Sequence, residues 1–313
     1  MLLFLLRRIA ASVPVLLVVA GLVFLLLRLT PGDPAAAIVG DAGTAADIAR
    51  VREHLGLNRS LASQFAIWIG HLARGDFGES FYFKMPIATL IGQRLEPTFS
   101  LAVLTIVIAI VVAVPLGAVA AWNHGGRLDR ALMSFSVLGF SVPVFIVGYS
   151  GIWLISMKLG WVPAQGYAPW SRGIGPWLTH LLLPAFTVSI VYVALIARVT
   201  RAAVVEALTE DYVTTARSKG LTEMQVLVRH ALANAAVPIA TVIGIGIGAL
   251  IGGVVVTETV FALPGLGQLT VDAVMSRDYP LIQAITLFFA LIYVVVNLAV
   301  DLTYPFLDPR IRY

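Results

Sequence analysis

Residues 97 to 126 read PTFSLAVLTIVIAIVVAVPLGAVAAWNHGG and contain no Asp, Glu, Lys or Arg. A helix needs about 20 mainly apolar residues to cross the hydrocarbon core of a bilayer, so this stretch is long enough to be a transmembrane span. Five more uncharged stretches of similar length follow the same rule: Ile9 to Leu27, Ala131 to Met157, Gly173 to Ala197, Ala231 to Thr257 and Tyr279 to Val300. The pattern predicts an all-α membrane protein with six transmembrane helices.

The composition agrees with a membrane location. Of the 313 residues, 59% are apolar and 12% are charged, whereas about 25% of the residues of a soluble domain are charged. The net charge of +4 is too small and too widely spread to indicate a nucleic-acid partner. The absence of cysteine excludes disulfides, thiolate catalysis and cysteine-ligated metals.

The distribution of Lys and Arg predicts the orientation of the spans, because short loops rich in positive charge stay in the cytoplasm. If the N-terminus is cytoplasmic, the short loops on the opposite side hold only Lys158, Arg172 and Arg277. The cytoplasmic side then holds Arg7, Arg8, Arg127, Arg130, Arg198, Arg201, Arg217, Lys219, Arg229, Arg310 and Arg312. The remaining seven of the 21 cations lie at Arg28 and in the long segment before the second span, where the rule is weak. We therefore expect both termini in the cytoplasm. Residues 1–30 would form the N-terminus and first span, 97–304 the core of spans two to six, and 305–313 a cytoplasmic tail.

The segment 31–96 is polar enough to lie outside the membrane, on the external face. Thr44 and Asp47 can start a helix that Gly56 ends, and a second amphipathic helix with apolar residues from Leu61 to Leu72 ends at Gly75. We expect a small helical cap on the outer face. An interfacial helix pair lying among the lipid headgroups is the alternative.

The segment between the fourth and fifth spans, within residues 198–236, is patterned rather than disordered. Thr222 and Gln225 form a capping box that starts a helix at Glu223, with Leu221 and Val226 placed as a hydrophobic staple. Asp211 to Lys219 can form a preceding short helix, and Gly220 permits the positive φ of a turn between the two. The segment predicts a helix–turn–helix projection, which by itself is also compatible with a merely structural loop.

The sequence of this projection resembles a known motif. Asp211 to Leu221, continuing through Arg229 to Pro238, resembles the coupling loop of ATP-binding-cassette (ABC) import permeases, and in particular the B-type permease of dipeptide/oligopeptide (peptide/nickel/opine) importers. The general motif begins Glu-Ala-Ala, with Gly four residues after the second Ala, and later has Ile-x-Leu-Pro. In this chain Thr214 stands at the Glu position, Thr215 and Ala216 stand at the two Ala positions, and Gly220 matches the Gly. Later, His230 stands in place of Ile, Leu232 matches Leu, and Ala233 replaces Pro.

Further motifs of the same family occur in order along the whole chain. They are Pro31-Gly32-Asp33-Pro34, Leu55-Gly56-Leu57, Gly75 to Ser80, Phe261 to Gly267, Arg277-Asp278-Tyr279-Pro280 and the ending Asp308 to Tyr313. Each motif alone is weak, but their ordered combination is specific.

The resemblance implies a type I ABC importer permease fold in the bacterial cytoplasmic (inner) membrane. The chain would move di- or oligopeptides delivered by an external substrate-binding protein, or alternatively glutathione, nickel complexes or opines. The implied partners are a second homologous permease chain, two ABC ATPase subunits, the binding protein and membrane lipid. The implied ATPase-coupling residues are Tyr212, Thr214, Thr215, Ala216, Arg217, Lys219, Gly220, Leu221 and Arg229, of which the three cations are also explained as ordinary positive flanking charge.

The chain has no means of hydrolysing ATP. A phosphate-binding P-loop needs Gly-Lys-Ser or Gly-Lys-Thr, but Lys84, Lys158 and Lys219 are the only lysines and none follows glycine. We therefore expect no enzymatic activity and no cofactor in this chain, with ATP and Mg²⁺ bound by the partner ATPase subunits.

Two glycine patterns are candidates for packing or for the pathway. Gly244, Gly248 and Gly252 recur every four residues and so share one helix face, where they can pack against a second permease chain or within this chain. Pro264, Gly265 and Gly267 form a turn that we place at the external mouth, or that is only a connector. The nearby acids Glu258, Asp272 and Asp278 could attract a peptide amino group, although surface solvation is the simpler expectation for each.

Other classes of membrane protein fit less well. A secondary transporter usually has several ionisable residues at midspan, which these stretches lack. A metalloprotease needs a His-Glu-x-x-His cluster, but the five histidines are dispersed. A passive channel stays compatible with the composition, yet it gives no reason for the helix–turn–helix projection.

Overall fold

The computed structural model describes residues 2–29, 44–54 and 57–307, and these ranges are almost entirely helical. Three quoted motifs lie wholly or partly outside the described residues: Pro31 to Pro34, Leu55-Gly56 and Asp308 to Tyr313. The helices are α1 Leu2–Leu29, α2 Ala45–His54, α3 Leu61–Ala73, α4 Ile87–Trp122, α5 Arg127–Ser141, α6 Val144–Lys158, α7 Ile174–Leu208, α8 Asp211–Ser218, α9 Glu223–Asn234, α10 Ala236–Val260, α11 Leu266–Met275 and α12 Tyr279–Leu307. The second half of α6, Ile152–Lys158, and the middle of α9, Val226–Ala231, are π-helical.

The long helices confirm the all-α membrane fold. Four of them, α1, α4, α7 and α12, are each long and apolar enough to cross a bilayer. Two bent pairs, α5 with α6 and α9 with α10, also pass by length and composition when each pair is taken together, so the described residues hold up to six spans.

The third span is broken, which differs from the continuous stretch Ala131 to Met157 that the composition predicts. The axes of α5 and α6 meet at 96°. Val142 is extended at φ −91° and ψ 120°, as expected for a residue that precedes proline. Pro143 has no N–H to donate to the Gly139 carbonyl, so α5 ends here and a new helix begins.

The fifth span also begins later than predicted. Residues 231–234 belong to α9, and α10 starts at Ala236 after a bend of 59°. Pro238 lies in the first turn of α10, where its missing N–H needs no acceptor, whereas a continuous helix would require that N–H to bond Asn234.

The chain divides into two compact units, which are described separately. The first comprises Met1–Leu95 and Gln268–Val294. In it, α3 starts at Ser60, whose hydroxyl accepts the Ser63 N–H, and α3 packs on α1 through Phe24, which lies 5.3 Å from Phe65 and 5.7 Å from Trp68 between ring centroids. The predicted second helix and its end near Gly75, at φ +79°, are confirmed, and α2 starts directly after Thr44 as expected.

The second unit comprises Glu96–Gly267 and Val295–Tyr313 and is built around α7, the most buried of the long helices. Small residues bring its neighbours close. A Cβ on Gly117 of α4 would lie 2.6 Å from the Ala197 carbonyl oxygen, and one on Gly139 of α5 would lie 3.0 Å from Ala194. Close helix approach through small residues is a common way to pack helices in a bilayer.

Candidate functional site: the loop between α7 and α10

The loop between α7 and α10, residues 209–235, forms two short helices joined by a glycine turn, as the sequence predicts. Helix α8 ends at Ser218, and Gly220 adopts φ +82°. The Gly220 N–H donates to the Arg217 carbonyl at 2.9 Å, and the Leu221 N–H donates to Ala216 at 3.3 Å. No atom would contact a Cβ added at Gly220, so only the backbone conformation requires glycine here.

The start of α9 is fixed by the predicted capping box. The Gln225 N–H donates to the Thr222 hydroxyl at 3.4 Å, and the Thr222 N–H donates to the Gln225 side-chain oxygen at 2.9 Å. Two backbone amides at the start of the helix are thereby satisfied. The direction of α9 relative to the glycine turn is set by local sequence.

A small apolar core holds the two loop helices together. Val213, Ala216 and Val226 are buried against one another, and Leu221 and Tyr212 pack at the edge of this cluster. Leu221 and Val226 therefore belong to one apolar cluster, as expected for a hydrophobic staple. The loop is a packed unit rather than a flexible connector.

The loop is continuous with the helical bundle. Leu227 and Ala231 of α9 are buried in a cluster with Ala118 of α4 and Val204 of α7, and the Tyr212 hydroxyl donates to the Ala207 carbonyl at 3.1 Å. A displacement of α9 would therefore push directly on α4 and α7.

The loop has three exposed cations, and one of them is paired within the loop. Arg217 pairs with the Glu223 carboxylate at the surface, with Nε to Oε1 at 2.9 Å and Nη2 to Oε2 at 3.0 Å. The Arg217 hydrogen bonds hold the pKa of the Glu223 carboxyl below its usual value, and the same contact raises the pKa of Arg217. The pair is therefore charged at neutral pH, and its contribution is lost only as the pH falls through the lowered carboxyl pKa. Lys219 and Arg229 are exposed.

Two exposed apolar side chains on α9 were missed by the sequence analysis. Met224 is 56% exposed and Val228 is 52% exposed, four residues apart. The spacing was visible in the sequence, but it could not be assigned to a buried or an exposed face. Because they are four residues apart on a helix, the two side chains are neighbours, and this face of α9 is a candidate docking surface.

The other predicted loop residues lie on two sides of this unit. Tyr212, Ala216 and Leu221 contribute to its interior, whereas Thr214, Thr215, Lys219, Gly220 and Arg229 are exposed. The structure thus brings the predicted coupling residues together on one projection. Their contact with an ATPase stays a prediction.

The glycine stripe of α10 is engaged at least partly within the chain. A Cβ on Gly244 would lie 2.6 Å from a methyl group of Val300, so this glycine permits close approach of α12 residues in the same unit. Gly246, on another face, lies against the Tyr192 ring. Gly248 is buried, and a Cβ on Gly252 would meet no atom within 4 Å. Among the three, Gly252 is the exposed one in the part of the chain that the structure describes.

Two acids near the predicted external mouth are not solvated, so that expectation is wrong for them. Glu258 is 0% exposed and Asp278 is 1% exposed. In the first unit, Asp278 accepts hydrogen bonds from the Ser80 hydroxyl and from the Tyr82 N–H. In the second unit, Glu258 lies under the turn that contains Pro264, Gly265 and Gly267. Both carboxylates can be buried because hydrogen-bond donors lie next to them. Burial of a carboxylate without such partners would cost a large free energy. Asp272 is partly exposed.

The part of the chain that the structure describes shows no group of three or more His, Asp and Glu residues placed to hold a metal ion. An apolar cavity of about 270 Å³ lies at the α5–α6 break and is lined by Phe135, Leu138, Val142, Thr187 and Ile190.

Comparison with known proteins finds similar proteins along the whole chain. Residues 113–313 match the family described as binding-protein-dependent transport system inner membrane component, and residues 1–102 match the N-terminal component of the same kind of system. A probable peptide ABC transporter permease protein of Sinorhizobium fredii is 49% identical over 310 residues, covering 99% of each chain. The glutathione transport system permease protein GsiC of Salmonella choleraesuis is 41% identical over 313 residues, covering 100% of each.

A solved structure has a similar fold. The chain aligns with an inward-facing structure of the MetNI methionine ABC transporter at a TM-score of 0.60, covering 71% of this chain and 97% of that one. The sequence identity is 17%, so the similarity concerns the fold. It agrees with a type I ABC importer permease fold for the helices described above.

Proposed function

The chain belongs to the family of binding-protein-dependent transport system inner membrane components, which are permease chains of ABC importers, and we propose that it carries di- or oligopeptides across the bacterial inner membrane. The substrate class is supported by relatives that match along their full lengths and whose names specify peptides or glutathione, itself a tripeptide. Nickel complexes and opines are the less favoured alternatives.

The observation that carries the mechanism is the packed loop of residues 209–235. Its exposed side presents Met224 and Val228, and its buried side continues into the bundle through Leu227 and Ala231. A surface that binds a partner on one side and pushes on helices on the other can convert closure of that partner into a rigid-body movement of the spans.

The ATPase is another chain, and we propose two such subunits, each binding ATP and Mg²⁺. Exposed Lys219 and Arg229 would add electrostatic attraction to the apolar contact. Arg217 acts first within the loop, because Glu223 holds it, and its role is to fix the two helices against each other.

The remaining partners follow from the same proposal. A second permease chain would complete the pathway, with Gly252 and the open face of α10 as one place of approach. An external substrate-binding protein would deliver the peptide on the side opposite the loop. This arrangement places the loop and both termini in the cytoplasm.

Reconstitution tests the function directly. The chain is co-purified with the partner permease, the two ATPases and the binding protein, and placed in proteoliposomes with tritiated trialanine as the probe. We expect uptake that requires ATP, the binding protein and this chain together. ATP-independent uptake would favour a channel, and ATP-dependent uptake of reduced glutathione but not of trialanine would assign the substrate to the glutathione branch.

A further inference from the structure

The buried carboxylate of Glu258 makes an unusual set of contacts at the C-terminal end of α10. The Thr98 hydroxyl donates to its Oε1 at 2.6 Å, and the same hydroxyl accepts the Leu266 N–H at 2.8 Å. Thr98 thus connects the acid to the backbone of the turn that follows α10. We call these three residues, Thr98, Glu258 and Leu266, the Glu258 clasp.

Two glycines of the turn pack against the acid, and a different set of atoms leaves no space for a Cβ at each of them. The three atoms nearest to a Cβ on Gly265 are all in the Glu258 carboxylate, and the Cβ would overlap them. A Cβ on Gly267 would lie 2.6 Å from the Val255 Cα and 2.9 Å from Glu258 Oε2. Neither glycine has a positive φ, so the need for glycine is steric. At position 265 the obstacle is one side chain, whereas at position 267 it includes the backbone.

The backbone between Glu258 and Leu266 is also held in one conformation. Ala262 adopts φ +50°, which is uncommon for a residue with a side chain. The Leu263 N–H donates to the Glu258 carbonyl at 2.8 Å, and the Leu263 side chain is fully buried. The turn therefore depends on both the main chain and the side chain of Glu258.

We propose that Glu258 is a positioning residue of the transporter, which holds the 262–267 turn in one arrangement through Thr98, and that Gly265 is required because it faces this carboxylate. An apolar residue would be cheaper to bury than an acid, so packing alone does not account for Glu258. A hydrogen-bonded acid adds what an apolar side chain lacks, a directional link to the amide of Leu266. The effect on uptake rests on the function proposed above, whereas the geometry of the clasp does not.

The first test uses the difference between the two glycines. Gly265→Ala should lower uptake by about tenfold or more, because overpacking a buried site is strongly unfavourable. Glu258→Asp withdraws the carboxylate by about 1.5 Å, the length of one C–C bond. The double variant Gly265→Ala with Glu258→Asp should then be no worse than Glu258→Asp alone. Gly267→Ala should stay defective in the Glu258→Asp background, since the Val255 backbone is unchanged.

The second test reports the position of the turn without transport. Leu263→Cys introduces the only thiol of a cysteine-free chain at a fully buried position, and maleimide labelling in the assembled complex measures its exposure. We expect protection in the parent and in Thr98→Ser, which keeps the hydroxyl. Thr98→Val has the same shape without the hydroxyl and should label several-fold faster, as should Gly265→Ala.

The two tests distinguish failure of the Glu258 clasp from failure of the proposed substrate. Full uptake by Gly265→Ala, a double variant clearly worse than Glu258→Asp alone, or equal labelling of Thr98→Val and Thr98→Ser would overturn the proposal. If the labelling follows the expected pattern while even the parent shows no uptake of trialanine, the clasp stands and the proposed substrate fails.

Discussion

Arg201 holds Asp129 through both carboxylate oxygens, with Nε to Oδ1 and Nη2 to Oδ2 each at 2.8 Å. The two residues are 72 positions apart, and the pair joins the start of α5 to the last third of α7. The Asp129 side chain is only 5% exposed and also accepts the Gly125 N–H at 2.9 Å. Because α7 leads directly into the 209–235 loop, this ion pair fixes the end of α7 from which the loop continues.

Removing the charge of Asp129 should therefore destabilise the bundle. In Asp129→Asn the Arg201 guanidinium, 21% exposed, stays largely buried without its counter-ion, and we expect a loss of about 2 to 3 kcal/mol in the free energy of unfolding. Denaturation of the purified chain with increasing SDS in mixed micelles measures this loss. The matched control is Glu206→Gln, an exposed acid on α7, the helix that carries Arg201, which should change the stability little. Equal stability of the two variants would contradict a structural role for the pair.

The predicted orientation can be checked by thiol labelling. Asn58→Cys and Ser218→Cys are single thiols at exposed positions in a chain that has no cysteine of its own. In intact cells, a maleimide that cannot cross the inner membrane should label Asn58→Cys and leave Ser218→Cys unlabelled, and inverted vesicles should give the reverse. Labelling of both thiols from the same side would rule out the six-span topology.

The apolar pair on α9 should carry much of the contact with the ATPase. Met224→Asp or Val228→Asp places a charge in a surface that we propose is desolvated on docking, and recovery of ATPase chains with the tagged permease should fall by about tenfold or more. Ser218→Asp adds the same charge to the same loop away from the pair and should retain most of the ATPase. A uniform loss with all three variants would show that charge, rather than the apolar surface, controls docking.

The parts of the structure that sequence reasoning predicted depend on near neighbours in the chain. Thr222 and Gln225 are three residues apart, and the need for glycine at 220 comes from its own backbone conformation, so both features could be predicted from propensity and spacing. The six apolar stretches likewise identify themselves by length.

The parts that were missed depend on distant residues or on competing signals. Glu258 and Thr98 are 160 positions apart, and nothing in a single sequence pairs them or predicts that Glu258 is buried. Pro143 did signal a break in the third span, but the long uncharged run around it indicated one helix. Pro238 likewise signalled a break near the start of the fifth span, but the uncharged run from Ala231 indicated one helix. In the structure, residues 231–234 belong to α9.

The most direct test of the coupling role compares two substitutions at Gly220. Its φ of +82° costs a residue with a β-branched side chain about 1 to 2 kcal/mol, whereas asparagine tolerates this region, and no neighbouring atom obstructs either side chain at its Cβ. The measurement is ATPase recovery with the tagged permease together with ATP hydrolysis stimulated by liganded binding protein in proteoliposomes. The account predicts that Gly220→Asn keeps both, while Gly220→Val tilts α8 against α9, inserts normally in the membrane and loses both. Full recovery and full stimulation with Gly220→Val would contradict it, and the 209–235 loop would then be a structured connector.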